Sequence, residues 1–142
     1  MGTYRTEVWL SLSHPSGRPI PPDTLTQALG GDPSLYVVGG LNERWANARL
    51  DVCLLHLEDF ADQEEPTEAF AAATRNALIE FALWLTRLSV SAFDELRGDS
   101  FKTEVWVYCW IEQDQFELIL PPELLVELGR LRLPIQMMTE GQ

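Results

Sequence analysis

The chain has 142 residues, of which 46% are apolar and 23% charged, a composition typical of a single globular domain that can bury a core. Its 22 acidic and 10 basic residues give a net charge of −12, which disfavours nucleic acid and anionic membranes. Such a charge either serves only to keep the protein soluble, which is the commoner case, or also favours a basic partner. No apolar run is long enough for a transmembrane helix and no signal sequence is present, so we expect a cytoplasmic protein with free thiols.

The first part of the chain is predicted to contain two strands around one short helix. Alternation of apolar and polar residues from Glu7 to Ser13 predicts a half-buried strand. Pro21-Pro22-Asp23 predicts a helix start, because proline and an acid both suit the first turn, and Gly30-Gly31 predicts the helix end. Leu35 to Val38 is expected to be a short strand, whereas Leu41 to Ala48 has no regular period and is interpreted as a loop.

The next segment, Leu50 to Leu57, is apolar at almost every position and predicts a strand in the centre of a sheet. Its polar exception is His56, three positions after Cys53, so simple alternation places the two side chains on opposite faces. We therefore expect no nucleophile–base pair between them. An acidic loop, Glu58 to Glu65, follows the strand.

The longest helix is predicted to start at Pro66-Thr67, with Thr67 as the N-cap. Apolar residues recur at helical spacing from Phe70 to Leu88. Ser89-Val90-Ser91 is a weak point for a helix, and a second helical piece, Ala92 to Arg97, follows it. The sequence leaves open whether this region is one bent helix or two.

The last part of the chain is predicted to form a hairpin, a helix and a final strand. Thr103 to Ile111 is rich in β-branched and aromatic residues, and Phe116 to Leu120 reads as a second strand after a polar turn at Glu112 to Gln115. Pro121-Pro122-Glu123 predicts a helix that ends at Gly129, and Leu133-Pro134-Ile135 is expected to be the last strand.

The two ends of the chain also resemble each other. Thr6-Glu7-Val8-Trp9 is identical to Thr103-Glu104-Val105-Trp106, and a proline-initiated helix follows each run, which suggests a duplicated strand–turn–helix unit. Together these elements predict one α+β domain over residues 1–142. We expect a mainly antiparallel sheet, with a long central helix and shorter helices packed on one face.

Several short motifs occur in an order that resembles a known family. They are Thr26…Leu29-Gly30…Asp32-Pro33-Ser34, Gly40, the central helix, and Phe116-Glu117-Leu118…Pro122-Glu123-Leu124-Leu125…Leu128-Gly129…Leu133-Pro134-Ile135. Over nearly its whole length the chain resembles the bacterial family called domain of unknown function 4279. Two segments depart from the family pattern: Asp51-Val52-Cys53, where a tryptophan is frequent, and Gln136-Met137-Met138, where an acidic strand is frequent. The resemblance implies an α+β fold and assigns no activity.

No catalytic, metal or cofactor site is predicted. His14 and His56 are far apart in sequence, and no motif links either one to Cys53 or Cys109. Zinc-ligand spacing is absent, and the acidic loop lacks the glycine and ligand order of a calcium-binding loop. The glycine pairs form no phosphate-binding motif.

The aromatic residues of the Thr103–Ile111 strand are the strongest candidates for a binding surface. Alternation places Trp106, Tyr108 and Trp110 on one side of the strand, together with Glu104. The rings either form core under helices, which the large area buried per ring favours, or they form an interface, which the enrichment of Trp and Tyr at hot spots favours. The sequence leaves both alternatives open.

From the charge, the aromatic residues and the missing catalytic set, we expect a non-catalytic acidic immunity or inhibitor protein that neutralises a basic toxin or enzyme. The alternatives are a ligand-binding or enzymatic pocket near Trp45 and His56, and a structural homodimer formed through the sheet face. The predicted partner-binding residues are Trp9, Trp45, Glu58, Asp59, Asp62, Glu64, Glu65, Trp106, Tyr108 and Trp110.

Overall fold

A computed structural model describes residues 4–18, 22–30, 43–46, 49–60, 62, 64–111 and 117–141. These residues form an α+β fold with a five-stranded sheet in the order β2-β3-β1-β4-β5, in which all neighbours are antiparallel except β4 and β5. Within the described residues, no helix has the length and apolarity needed to span a membrane. The elements are β1 Arg5–Ser13, α1 Pro22–Leu29, β2 Glu43–Ala46, β3 Arg49–Glu58, α2 Pro66–Leu85, α3 Val90–Gly98, β4 Lys102–Ile111, α4 Pro122–Leu131 and β5 Ile135–Gly141.

All four helices contribute to one core on one face of this sheet. Val8 and Leu10 of β1 and Val105 of β4 are fully buried there, because alternation directs every second side chain of both strands toward the helices. Phe81 of α2 and Phe93 of α3 are fully buried in the same core. The predicted α+β class and the mainly antiparallel sheet are confirmed.

The loop predicted at Leu41 to Ala48 is wrong over Glu43–Ala46, which forms the edge strand β2 and pairs with β3. A four-residue strand at a sheet edge is too short to show a hydrophobic period, so the sequence carried no signal for it. The strand predicted at Leu35 to Val38 lies outside the described residues.

The predicted hairpin partner of β4 is also wrong. Residues 117–120 form no strand, because β4 already pairs with β1 on one side and β5 on the other. The predicted turn and Phe116 lie outside the described residues. The final strand runs from Ile135 to Gly141, so of the predicted segment Leu133–Ile135 only Ile135 belongs to it.

The long helical region consists of two helices, which settles the question left open by the sequence. α2 ends at Leu85 and α3 begins at Val90, and Ser89 caps α3 by accepting a hydrogen bond from the Ala92 backbone N–H at 3.3 Å. Thr67 is not the N-cap of α2. Glu65 occupies that position without a side-chain bond, and Thr67 Oγ1 hydrogen-bonds the Tyr4 hydroxyl at 3.3 Å instead.

The repeated Thr-Glu-Val-Trp runs lie on adjacent antiparallel strands and meet only at their last residues, where Trp9 of β1 lies opposite Trp106 of β4. Both runs direct their valines into the core. The connections that follow the two runs differ. After β1 and α1 the next described strand is β2, which pairs with β3. After β4 and α4 the next strand is β5, which pairs in parallel with β4 itself. The topology therefore does not show the predicted duplication.

Candidate functional site

The sheet face opposite the helices carries the predicted aromatic residues and is called here the aromatic face. No described helix packs on it. Cross-strand register aligns its residues in rows, in which Arg5 lies opposite Trp110, Glu7 opposite Tyr108 and Trp9 opposite Trp106. The face is defined by Arg5, Glu7 and Trp9 of β1, His56 and Glu58 of β3, Glu104, Trp106, Tyr108 and Trp110 of β4, and Gln136 and Met138 of β5.

The three rings of β4 stack on one another as a ladder along the strand. The ring centroids of Trp106 and Tyr108 lie 5.9 Å apart at an interplanar angle of 14°, and those of Tyr108 and Trp110 lie 5.5 Å apart at 16°. Each of the three residues is half-buried. The helices therefore do not cover these rings as core, and the ladder presents a large, ordered apolar surface that is in part accessible to a partner.

Trp9 has a different environment from the ladder. The residue is only 9% exposed, and its indole N–H donates to Glu7 Oε2 at 3.2 Å. It lies beside Trp106 and supports the ladder, and it offers a partner little surface.

A cluster of Arg5, His56 and two carboxylates borders the Trp110 end of the ladder. The Arg5 guanidinium carbon lies 4.1 Å from the centroid of the Trp110 ring, a cation–π contact. Arg5 Nε is 3.8 Å from Glu7 Oε1, and the same oxygen is 3.3 Å from His56 Nδ1. His56 Nε2 lies 3.1 Å from Glu58 Oε2, so both ring nitrogens face carboxylates. The ladder thus already holds one guanidinium group beside carboxylates.

The Trp106 end of the face contains a buried carboxylate. Glu104 is 7% exposed, and its Oε2 accepts a hydrogen bond from Gln136 Nε2 at 2.7 Å and lies 3.7 Å from Lys102 Nζ. Burial of a carboxylate is costly unless it is paired or hydrogen-bonded, and these two contacts offset that cost.

The predicted acidic loop continues from the Trp110 end, because Glu58 is the register partner of Arg5 and the loop begins directly after it. Asp59 takes a left-handed conformation, with φ of 77°, which turns the chain out of β3. A hydrogen bond with Glu65 and the charge of Glu65 raise the pKa of Glu68. The exposed acidic residues here are Glu58, Asp59, Asp62, Glu64 and Glu65.

Trp45 does not join the ladder. It lies on β2, and its register row runs through Leu50 of β3 and Leu12 of β1. His56 lies in the register row of Glu7, and Glu7 is five residues before Leu12 along β1. The rows that contain Trp45 and His56 are therefore about 17 Å apart along the strand. The structure therefore does not bring together the two residues expected to mark a pocket.

The prediction that Cys53 and His56 point to opposite faces lies outside the described side chains, because that of Cys53 is not among them. The backbone pairing of β1 with β3 does contain a bulge, since Val8 lies opposite Leu55 and Trp9 opposite Cys53. The local sequence carries no signal for the extra residue in β3.

The other titratable groups that sequence analysis singled out have structural partners. His14 Nδ1 accepts the Ser16 backbone N–H at 3.1 Å, so the neutral ring carries its proton on Nε2, which donates to the Asp99 carbonyl at 3.1 Å. Cys109 is buried, and burial raises the pKa of its thiol. Across the described ranges, no group of three His, Cys, Asp or Glu residues is arranged to hold a metal ion.

Sequence reasoning missed Arg5 and Gln136. The strand begins at Arg5, two residues before the predicted start at Glu7. With the correct start, alternation places Arg5 on the same face as Glu7. The Gln136 contact had no local signal, because it depends on the pairing of β4 with β5.

A scan of protein-family models, a search of curated proteins and a search of solved structures found no match to this chain. The resemblance to domain of unknown function 4279 stays a prediction.

Proposed function

We propose that this chain is a non-catalytic protein-binding domain, an acidic immunity or inhibitor protein that neutralises a basic toxin or enzyme. The observation that carries the proposal is the half-buried ladder of Trp106, Tyr108 and Trp110 on a sheet face that no described helix covers. Trp and Tyr are enriched among residues that dominate binding energy, and rings already stacked in place lose little conformational entropy on binding.

Charge supports a basic partner for this face. The chain carries a net charge of −12, and exposed carboxylates of the Glu58–Glu65 loop extend from the Trp110 end of the ladder. A negative field of this size steers basic proteins toward the surface, while the aromatic rings determine how long the complex lasts.

The contact between Arg5 and Trp110 supports the same conclusion at atomic scale. A guanidinium group lies over an indole ring, with the Glu7 carboxylate nearby. Arginine and aromatic residues are both frequent in interface hot spots, and a partner arginine would meet the same chemistry at the ladder.

Affinity capture with matched variants tests this proposal. Wild-type protein is expected to capture one basic protein stoichiometrically from the source cell and to inhibit its activity. Tyr108→Ser, which breaks the ladder at its centre, is expected to lose capture. Leu83→Ser is the control, because Leu83 is an apolar residue of α2 that is 62% exposed on the helix side.

Capture that survives Tyr108→Ser in a variant that remains folded by circular dichroism would contradict a role for the aromatic face. If no partner is captured and the protein runs as a dimer on a sizing column, the face joins two copies and the inhibitor proposal is wrong.

A further inference from the structure

We infer that the partner also docks by strand addition. In this arrangement, an extended arginine-bearing segment of the partner pairs with the outer edge of β5 and becomes a sixth strand of the sheet. This inference rests on the proposed function and names the docking mode and the chemistry of the docked segment. Three features of β5 support it: the direction of its backbone groups, its weakly protected sequence and its position next to the ladder.

Backbone geometry shows which groups of β5 face outward. The Val105 N–H donates to the Pro134 carbonyl at 2.9 Å, so this carbonyl points toward β4. Because backbone groups alternate in direction along a strand, the N–H and C=O groups of Ile135, Met137 and Thr139 point away from β4. No described strand pairs with this side of β5.

The sequence of β5 contains few of the devices that normally protect an edge strand. Ile-Gln-Met-Met-Thr-Glu-Gly contains no proline, lysine or arginine and has one charged residue, Glu140, near its end. Met137 and Met138 are 42% and 44% exposed. Natural edge strands are usually short, charged or interrupted by proline, since a regular unpaired edge is a template for another strand. Methionine is flexible and polarizable, which suits it to contacts with varied side chains.

Position next to the ladder determines the chemistry of the added strand. Register places Met138 beside Tyr108 and Gln136 beside Trp106, so alternate side chains of a sixth strand would lie on the aromatic face. Neighbouring strands are separated by about 4.8 Å, which puts such side chains about 10 Å from β4. A long cationic side chain extending over Met138 would approach the ladder, where Arg5 already contacts Trp110.

Charge favours a basic segment over a second copy of this chain. Two copies would each bring a charge of −12 to the interface, whereas a basic segment neutralises part of that field. Strand addition draws affinity from main-chain hydrogen bonds and specificity from alternate side chains.

Titration with a short peptide that alternates arginine and threonine tests the inference, with binding followed by fluorescence anisotropy. Met137→Pro removes an outward N–H and places a ring at the edge, and we expect it to weaken binding by about tenfold or more. Met137→Thr keeps the N–H and is the control, with affinity expected to remain near that of wild type. A peptide with N-methyl groups at alternate positions keeps its charge and is expected to bind as weakly as Met137→Pro does.

Hydrogen exchange of the wild-type complex gives a readout that does not depend on the folding of a variant. The amides of Ile135, Met137 and Thr139 are expected to gain protection when the peptide binds. Equal affinity for both Met137 variants, or protection only elsewhere, would show that charge alone holds the peptide and would overturn the inference. A dimer of the free protein that Met137→Pro dissociates would assign the edge to a second copy and would also overturn it.

The two proposals fail in different ways. Loss of the captured partner with Tyr108→Ser but not with Met137→Pro retains the proposed function and rejects strand addition. Retention of the partner by both variants rejects the proposed function itself.

Discussion

Cys109 lies in β4, is 2% exposed, and has its sulfur 3.6 Å from Thr6 Oγ1. Burial raises the pKa of this thiol above its ordinary value of 9.0, and the hydrogen bond with Thr6 opposes the shift. The thiolate is the reactive form of cysteine, so this environment keeps Cys109 inert. Its contribution is to the packing of the core.

The raised pKa predicts how stability depends on pH. In the unfolded chain Cys109 loses its proton near pH 9, whereas the folded chain retains it to higher pH, so the folded state binds more protons in that range. The contribution of Cys109 to the free energy of unfolding is full below pH 9 and is lost as the pH rises. Urea denaturation between pH 8 and pH 10 should therefore show a steeper decline for wild type than for Cys109→Ala. Parallel declines would contradict this prediction.

Among the secondary-structure elements, the end of α2 depends on a side chain from α4. Arg130 donates through one guanidinium nitrogen to the Leu85 carbonyl at 2.8 Å and also contacts the Leu88 carbonyl at 3.3 Å. The Leu85 carbonyl also accepts the Leu88 backbone N–H at 3.0 Å, and Arg130 adds a charge-assisted hydrogen bond to it that joins the two helices.

Replacement of Arg130 tests this contact. Arg130→Met keeps much of the apolar side chain but removes the donors, and we expect a loss of about 1 to 2 kcal/mol in the free energy of unfolding. Arg87→Met, at an exposed position between Leu85 and Leu88, is the control and should change stability by less than about 0.5 kcal/mol. Equal effects of the two substitutions would show that Arg130 does not hold the end of α2.

The elements found from sequence are those with a strong local signal. β1, β3 and β4 were predictable because burial on a sheet imposes alternation or a continuous apolar run over nine or ten residues. Phe116–Leu120 has the local composition of a strand, but residues 117–120 form none. The reason is that β5 pairs with the edge of β4 that a hairpin partner would need.

The candidate site was predictable only within single strands. Alternation correctly grouped Trp106, Tyr108 and Trp110, because all three lie on one strand. The contacts of Arg5 with Trp110 and of Gln136 with Glu104 join strands that are remote in sequence. Register between such strands, and the bulge that shifts it, are properties of the folded sheet.

In the whole molecule, helices and the aromatic ladder lie on opposite faces of one sheet. Arg97 and Arg130 donate hydrogen bonds to backbone carbonyls of the helix layer. These two of the ten basic side chains are therefore engaged within the fold. Acidic residues are exposed around the loop that begins at Glu58. In the proposed function, this division gives charge and aromatic surface separate roles: we expect the net charge of −12 to set the rate of encounter with a basic partner and the ladder to set the lifetime of the complex.

Association kinetics with the captured partner test this division most directly. We expect the association rate to fall steeply as ionic strength rises, by the same factor for wild type and Tyr108→Ser, because the long-range field is unchanged. The dissociation rate of Tyr108→Ser should be at least about tenfold higher, in the range of a hot-spot residue. An association rate that does not change with salt, together with an unchanged dissociation rate for Tyr108→Ser, would contradict the assignment of the aromatic face as the docking surface for a basic partner.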